Sequence, residues 1–89
     1  MLYPKFYLTM NTFEFQKHLS SNNFLKIRQD GNAYRPGSIL DIQEVCNMTG
    51  LFTGSNSVIQ LSSIIVTGSP DLDKTWLMAK YIIIHKELI

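Results

Sequence analysis

Residues 24–29 read Phe24-Leu25-Lys26-Ile27-Arg28-Gln29. Apolar and polar side chains alternate with a period of two, the mark of a half-buried β-strand. Leu25 and Ile27 point to one face, and Lys26 and Arg28 to the other. Downstream, Asp30-Gly31-Asn32 reads as a turn. Pro36-Gly37 reads as a second, because proline fixes φ and glycine accepts a positive φ. Residues 38–45 form the next strand, with Leu40 and Ile42 on one face and Asp41 and Gln43 on the other. Residues 46–56, with Gly50 and Gly54, read as a hairpin connection. Residues 58–66 form a long strand with Ile59, Leu61, Ser63 and Ile65 on one face. Gly68-Ser69-Pro70-Asp71 breaks it, and 71–74 can seed one helical turn that carries Trp76 towards the body of the domain. Residues 80–86 are the last strand. Its centre, Ile82-Ile83-Ile84, predicts burial on both faces.

Upstream, Lys5-Phe6-Tyr7-Leu8-Thr9-Met10 is a short β-type run. Asn11 then fits a helix N-cap, with Glu14 at the capping-box position. Residues 12–19 make about two helical turns, with Phe15, His18 and Leu19 on one face. Ser20-Ser21-Asn22-Asn23 ends them. The order is one strand, one short helix, then four strands. Five short strands leave costly open edges unless the sheet curls. The expected fold is therefore α+β and mostly β: a small five-stranded barrel, mixed or antiparallel, with one short helix after the first strand. The 89 residues fit a single domain, 1–89.

Composition narrows the function classes. Eight Lys+Arg against seven Asp+Glu give a net charge of +1. A nucleic-acid grip driven by overall charge is excluded, so any such affinity must come from a local patch. Cys46 is the single cysteine, which excludes an internal disulfide and zinc sites built on several cysteines. His18 and His85 stand far apart, with no metal-ligand spacing around them. No apolar run approaches the roughly 18–20 residues of a membrane helix, and the first ten residues lack the pattern of a signal peptide. The expectation is a cytoplasmic chain without metal, cofactor or membrane partner.

Three pieces of sequence resemble the PUA-like superfamily, and within it the small ASCH-type domains of phage and bacterial kind. The first is the strand after the short helix, ending Lys26-Ile27-Arg28. The second is Tyr34-Arg35-Pro36-Gly37-Ser38-Ile39-Leu40-Asp41-Ile42, which looks like the family's turn-strand. The third is Phe52-Thr53-Gly54 before a long β run. The resemblance covers most of the chain from Lys5 to Glu87. It implies a PUA-like barrel that binds RNA or a modified nucleoside, with Arg28 as a pocket residue. Some members resemble amidohydrolases acting on acylated cytidine, through a lysine, a threonine and a glutamate. Here the lysine position holds Asn23, and the strand's threonine or glutamate position holds Lys26. Between Glu44 and Glu87 the acids are Asp71 and Asp73. These departures point to a binding module rather than an enzyme.

Each candidate residue carries a plain structural alternative. Lys26 and Arg28, about 7 Å apart on one strand face, make a two-point phosphate grip or a solvated face. Tyr34 and Arg35 extend that grip with a stacking ring, or Tyr34 covers the end of the barrel. Asn23, with Asn22, reads a base edge or ends a helix. Phe6, Phe13, Phe15 and Phe24 are expected in the core or docking the helix. Trp76 is expected to cap the core, Cys46 to be inert, His85 to be a satisfied strand histidine, and Asp71 and Asp73 to cap a turn. Leu51 and Phe52 at a hairpin tip either fold back on the barrel or mark a protein-contact surface. Three functions follow: RNA or nucleotide binding, modulation of a host protein by a phage or mobile-element factor, and hydrolysis of a modified nucleoside.

Overall fold

A computed structural model describes residues 5–20, 24–28, 34–66 and 76–89, apart from the side chains of Arg28, Val66 and Trp76. Its elements are β1 (Lys5–Asn11), α1 (Thr12–Leu19), β2 (Phe24–Arg28), β3 (Ile39–Val45), β4 (Phe52–Val66) and β5 (Trp76–Glu87). The strands lie in the order β1-β3-β4-β5-β2. β1 runs parallel to β3, and every other neighbouring pair is antiparallel. The result is the expected mostly-β α+β fold, a five-stranded mixed sheet curled into a half-barrel with one helix after the first strand.

α1 begins where its local chemistry dictates. The Glu14 amide donates to Asn11 Oδ1 at 2.8 Å, and the Asn11 amide donates to Glu14 Oε1 at 3.2 Å. This capping box satisfies first-turn donors that have no partner within the helix. A third bond, from the Thr12 amide to Asn47 Oδ1 at 2.8 Å, ties the helix start to the loop after β3. Eight residues are too few for a helix to persist alone in water. Packing holds it instead. α1 leaves one edge strand, β1, and leads towards the opposite edge strand, β2. It lays Phe15 and His18, both buried, and half-buried Leu19 on the inner face of the sheet.

The strands supply the matching layer. Leu40 pairs with Ile59, Leu61 with Tyr81, Leu25 with Ala79 and Ile27 with Leu77. All eight side chains are buried in one core. Burial of apolar area on this scale is the main favourable term of folding. The Pro36-Gly37 turn forms as expected. Gly37 has φ 94°, and its amide donates to the Leu61 carbonyl at 2.7 Å.

Several expectations fail for reasons of register. β4 starts at Phe52, so the connection after β3 is shorter than 46–56, and Gly54 lies inside the strand. There Gly54 adopts φ 97° beside a break in the β3–β4 ladder between Gln43 and Val45. β5 likewise starts at Trp76, four residues before the expected strand. The β4–β5 ladder shifts again between Leu61 and Ser63. An extra residue in one strand exchanges its faces from that point on. Ile64 therefore packs against the core, whereas Ile65, expected beside Ile59 and Leu61, is exposed. Ile82, Ile83 and Ile84 are also exposed, against the expectation of burial on both faces. Among the described residues the β2–β5 ladder ends at Phe24–Lys80, and these isoleucines follow that pair. The expected turn at 30–32, the helical turn at 71–74 with Asp71 and Asp73, and Asn22 and Asn23 lie outside the described residues.

Candidate functional site

A cleft of about 360 Å³ opens between α1 and β2. Two elements furnish its polar rim. On α1, Phe13 and Lys17 are four residues apart and so share a side of the helix, with Glu14 beside them. On β2, Phe24 and Lys26 alternate with the core residues Leu25 and Ile27. Met10 of β1 and Met78 of β5 supply apolar wall. The rings of Phe13 and Phe24 are 70% and 41% exposed, so neither is spent on the core. Lys80 Nζ stands 5.5 Å from the centre of the Phe24 ring, a cation–π distance that places a further ammonium beside that ring.

The floor is uncharged and hydrogen-bonded. His18 is buried, with Nε2 3.1 Å from Ser57 Oγ and Nδ1 3.1 Å from the Tyr81 hydroxyl. That hydroxyl also donates to the His18 carbonyl at 3.3 Å. Burial pushes the His18 imidazole below its ordinary pKa, which favours the uncharged ring at neutral pH. Ser57 and His18 form a nucleophile–base contact, but Ser57 is fully buried beneath the ring. A ligand in the cleft meets the imidazole and not the serine oxygen. The arrangement suits binding: ring faces for stacking, ammonium groups for an anion, one carboxylate, and a hydrogen-bonded floor.

The residues singled out in the sequence fall in different places. Lys26 lines the cleft. Arg28 is on β2 opposite Trp76, but its side chain, like that of Trp76, lies outside the described residues. Asn23 also lies outside them. Tyr34 is not among the residues lining the cleft. It is 7% exposed and meets Phe6 edge-on, with ring centres 4.7 Å apart. Arg35 is exposed in the turn before β3, where its amide donates to Ser38 Oγ at 3.0 Å.

Leu51 and Phe52 do not fold back. They are 68% and 65% exposed, and Met48 in the same loop is 93% exposed. This tip is held by the Cys46 amide donating to the Leu51 carbonyl at 2.8 Å and the Gly50 amide donating to the Cys46 carbonyl at 2.9 Å. Hydrogen bonds with Thr49 hold the Cys46 thiol below its usual pKa.

Phe13 and Phe24 correct the expectation that they are core residues. Phe13 sits two positions before buried Phe15, on the other side of the helix, and Phe24 sits one before buried Leu25. Both exposures follow from the periods already in the sequence. Lys17 is likewise a cleft residue that sequence reasoning passed over. Its signal was the four-residue spacing from Phe13.

The chain matches no protein-family model, and no curated protein matches it. Among the described residues, no helix is long and apolar enough to cross a membrane.

Proposed function

We propose that the chain is a non-catalytic RNA- or nucleotide-binding module of PUA-like, ASCH-type kind, and that its ligand occupies the cleft between α1 and β2. One observation carries this reading: the exposed rings of Phe13 and Phe24 and the ammonium groups of Lys17 and Lys26 line one cavity. Bases have π faces and phosphates have charge, so alternating rings and cations suit single-stranded nucleic acid or a free nucleotide. The volume falls within the range of small-molecule sites. A net charge of +1 is no obstacle, because Lys17 and Lys26 stand at the rim and Lys80 stands beside Phe24. The resemblance in the β2 and turn-strand motifs points the same way, and Asn23 at the reactive-amine position favours binding without turnover.

The test is a titration of fluorescently labelled single-stranded RNA with the wild-type chain and with Lys17→Glu/Lys26→Glu. The double reversal is expected to weaken binding by at least about tenfold. Two phosphate contacts to a single strand predict a log–log salt slope of about −1.4. Unchanged affinity in the double variant, or no wild-type binding to any RNA or nucleotide tested, would sink the proposal.

A second reading is a small phage or mobile-element factor that modulates a host protein. Met48, Leu51 and Phe52 favour it, because three large apolar side chains exposed on one tight loop exceed what a solvated hairpin needs. A stoichiometric protein partner that survives nuclease treatment and is lost in Phe52→Asp would support this reading over the first.

A further inference from the structure

Resting on the nucleotide reading of the cleft, we infer that Glu14 makes the site selective for guanine. The polar groups around the cavity divide sharply by type. Lys17 and Lys26 only donate hydrogen bonds, and both ring nitrogens of His18 are already met by Ser57 and Tyr81. Glu14 is the one carboxylate among the described lining residues, and so the strongest side-chain acceptor among them for a base edge.

Glu14 is also held in place. Its Oε1 accepts the Asn11 amide at 3.2 Å, and its own amide is fixed on Asn11 Oδ1 at 2.8 Å. A carboxylate offers about four lone-pair positions, and this cap uses one of them. A side chain already ordered in the free protein loses little entropy on binding.

Base chemistry then decides what a fixed carboxylate prefers. Guanine presents N1–H and N2–H side by side, two parallel donors that match two carboxylate oxygens. Adenine and cytosine each present one amino group next to a ring-nitrogen lone pair, which repels the anion. Uracil presents one N–H between two carbonyl oxygens. Stacking on Phe13 or Phe24 suits every base and does not discriminate. The same negative charge keeps a phosphate away from Glu14 and leaves it to Lys17 and Lys26.

The experiment compares the affinities of GMP, AMP, CMP and UMP for the wild-type chain and for Glu14→Gln, by calorimetry at neutral pH. Glutamine keeps the helix cap, because its amide oxygen can accept the Asn11 N–H. GMP is expected to bind the wild type about 5- to 150-fold more tightly than the other three, the span of a bidentate side chain–base pair. In Glu14→Gln that preference should collapse, because GMP loses its two-oxygen anionic acceptor while AMP and CMP lose the repulsion from the carboxylate. Equal wild-type affinity for all four would overturn the guanine inference and leave the nucleotide reading standing. A guanine preference that persists in Glu14→Gln would overturn the role of Glu14. No binding of any of the four would overturn both. If Glu14→Gln fails to fold, the wild-type ranking alone decides whether the site selects guanine.

Discussion

Phe15→Ala is expected to destabilise the chain by about 3–5 kcal/mol, measured by urea denaturation at 25 °C. Phe15 is fully buried, and it is the largest apolar group that α1 contributes to the core. Its removal opens a cavity between helix and sheet that an eight-residue helix cannot close by shifting, because its start is pinned by Asn11 and Asn47. Small domains hold about 5–15 kcal/mol in all, so the variant would approach the edge of folding. Phe13→Ala is the paired control. Its ring is mostly exposed, and the change should stay within about 0.5 kcal/mol. A Phe15→Ala cost under about 1 kcal/mol would mean that α1 is not anchored to the sheet in this way. The cleft would then lose one of its two walls, since Phe13, Glu14 and Lys17 all stand on that helix.

What was legible in the sequence was local. The capping box spans Asn11 to Glu14, and its partners are fixed by covalent neighbourhood, so helix start and bonding follow from residue type. The alternation in 24–29 likewise assigns Leu25 and Ile27 to the core without reference to the rest of the chain. Register breaks are different. Whether Ile64 or Ile65 faces inward depends on an irregularity opposite Tyr81 and Lys80, a partner that 61–66 does not name. The exposure of Ile82, Ile83 and Ile84 is likewise a matter of which strands flank β5, and not of their own residue types. The cleft is longer-range still. Lys17 and Lys26 line one cavity because β1 and β2 end on opposite edges of one curled sheet with α1 between them. That order, β1-β3-β4-β5-β2, is set by pairing across the whole domain. The periods in the sequence could expose Phe13, Lys17, Phe24 and Lys26 one by one, but not bring the four to one cavity.

Acidification is expected to destabilise the fold through His18. Burial lowers the folded-state pKa of this imidazole below the ordinary value of about 6.5, which the unfolded chain retains. Above that pH both states carry the neutral ring, and the contribution to stability is full. As pH falls below about 6.5 the unfolded chain takes up a proton that the folded chain refuses, and stability declines. It continues to decline until pH reaches the lower, folded-state value. The slope in that window approaches about 1.4 kcal/mol per pH unit, the linkage value for one proton. The partners of the ring do not oppose the charge by geometry, since the Ser57 and Tyr81 oxygens can accept from both protonated nitrogens. The penalty is loss of water around a cation, and so it should survive added salt. Urea midpoints measured from pH 7.5 to 5.5 in the wild type and in His18→Gln test this directly. The wild type should weaken across the window and the variant should show a flatter profile. Parallel profiles would place the acid-sensitive group elsewhere, and a wild type indifferent to pH would mean that the floor of the cleft admits a charged imidazole.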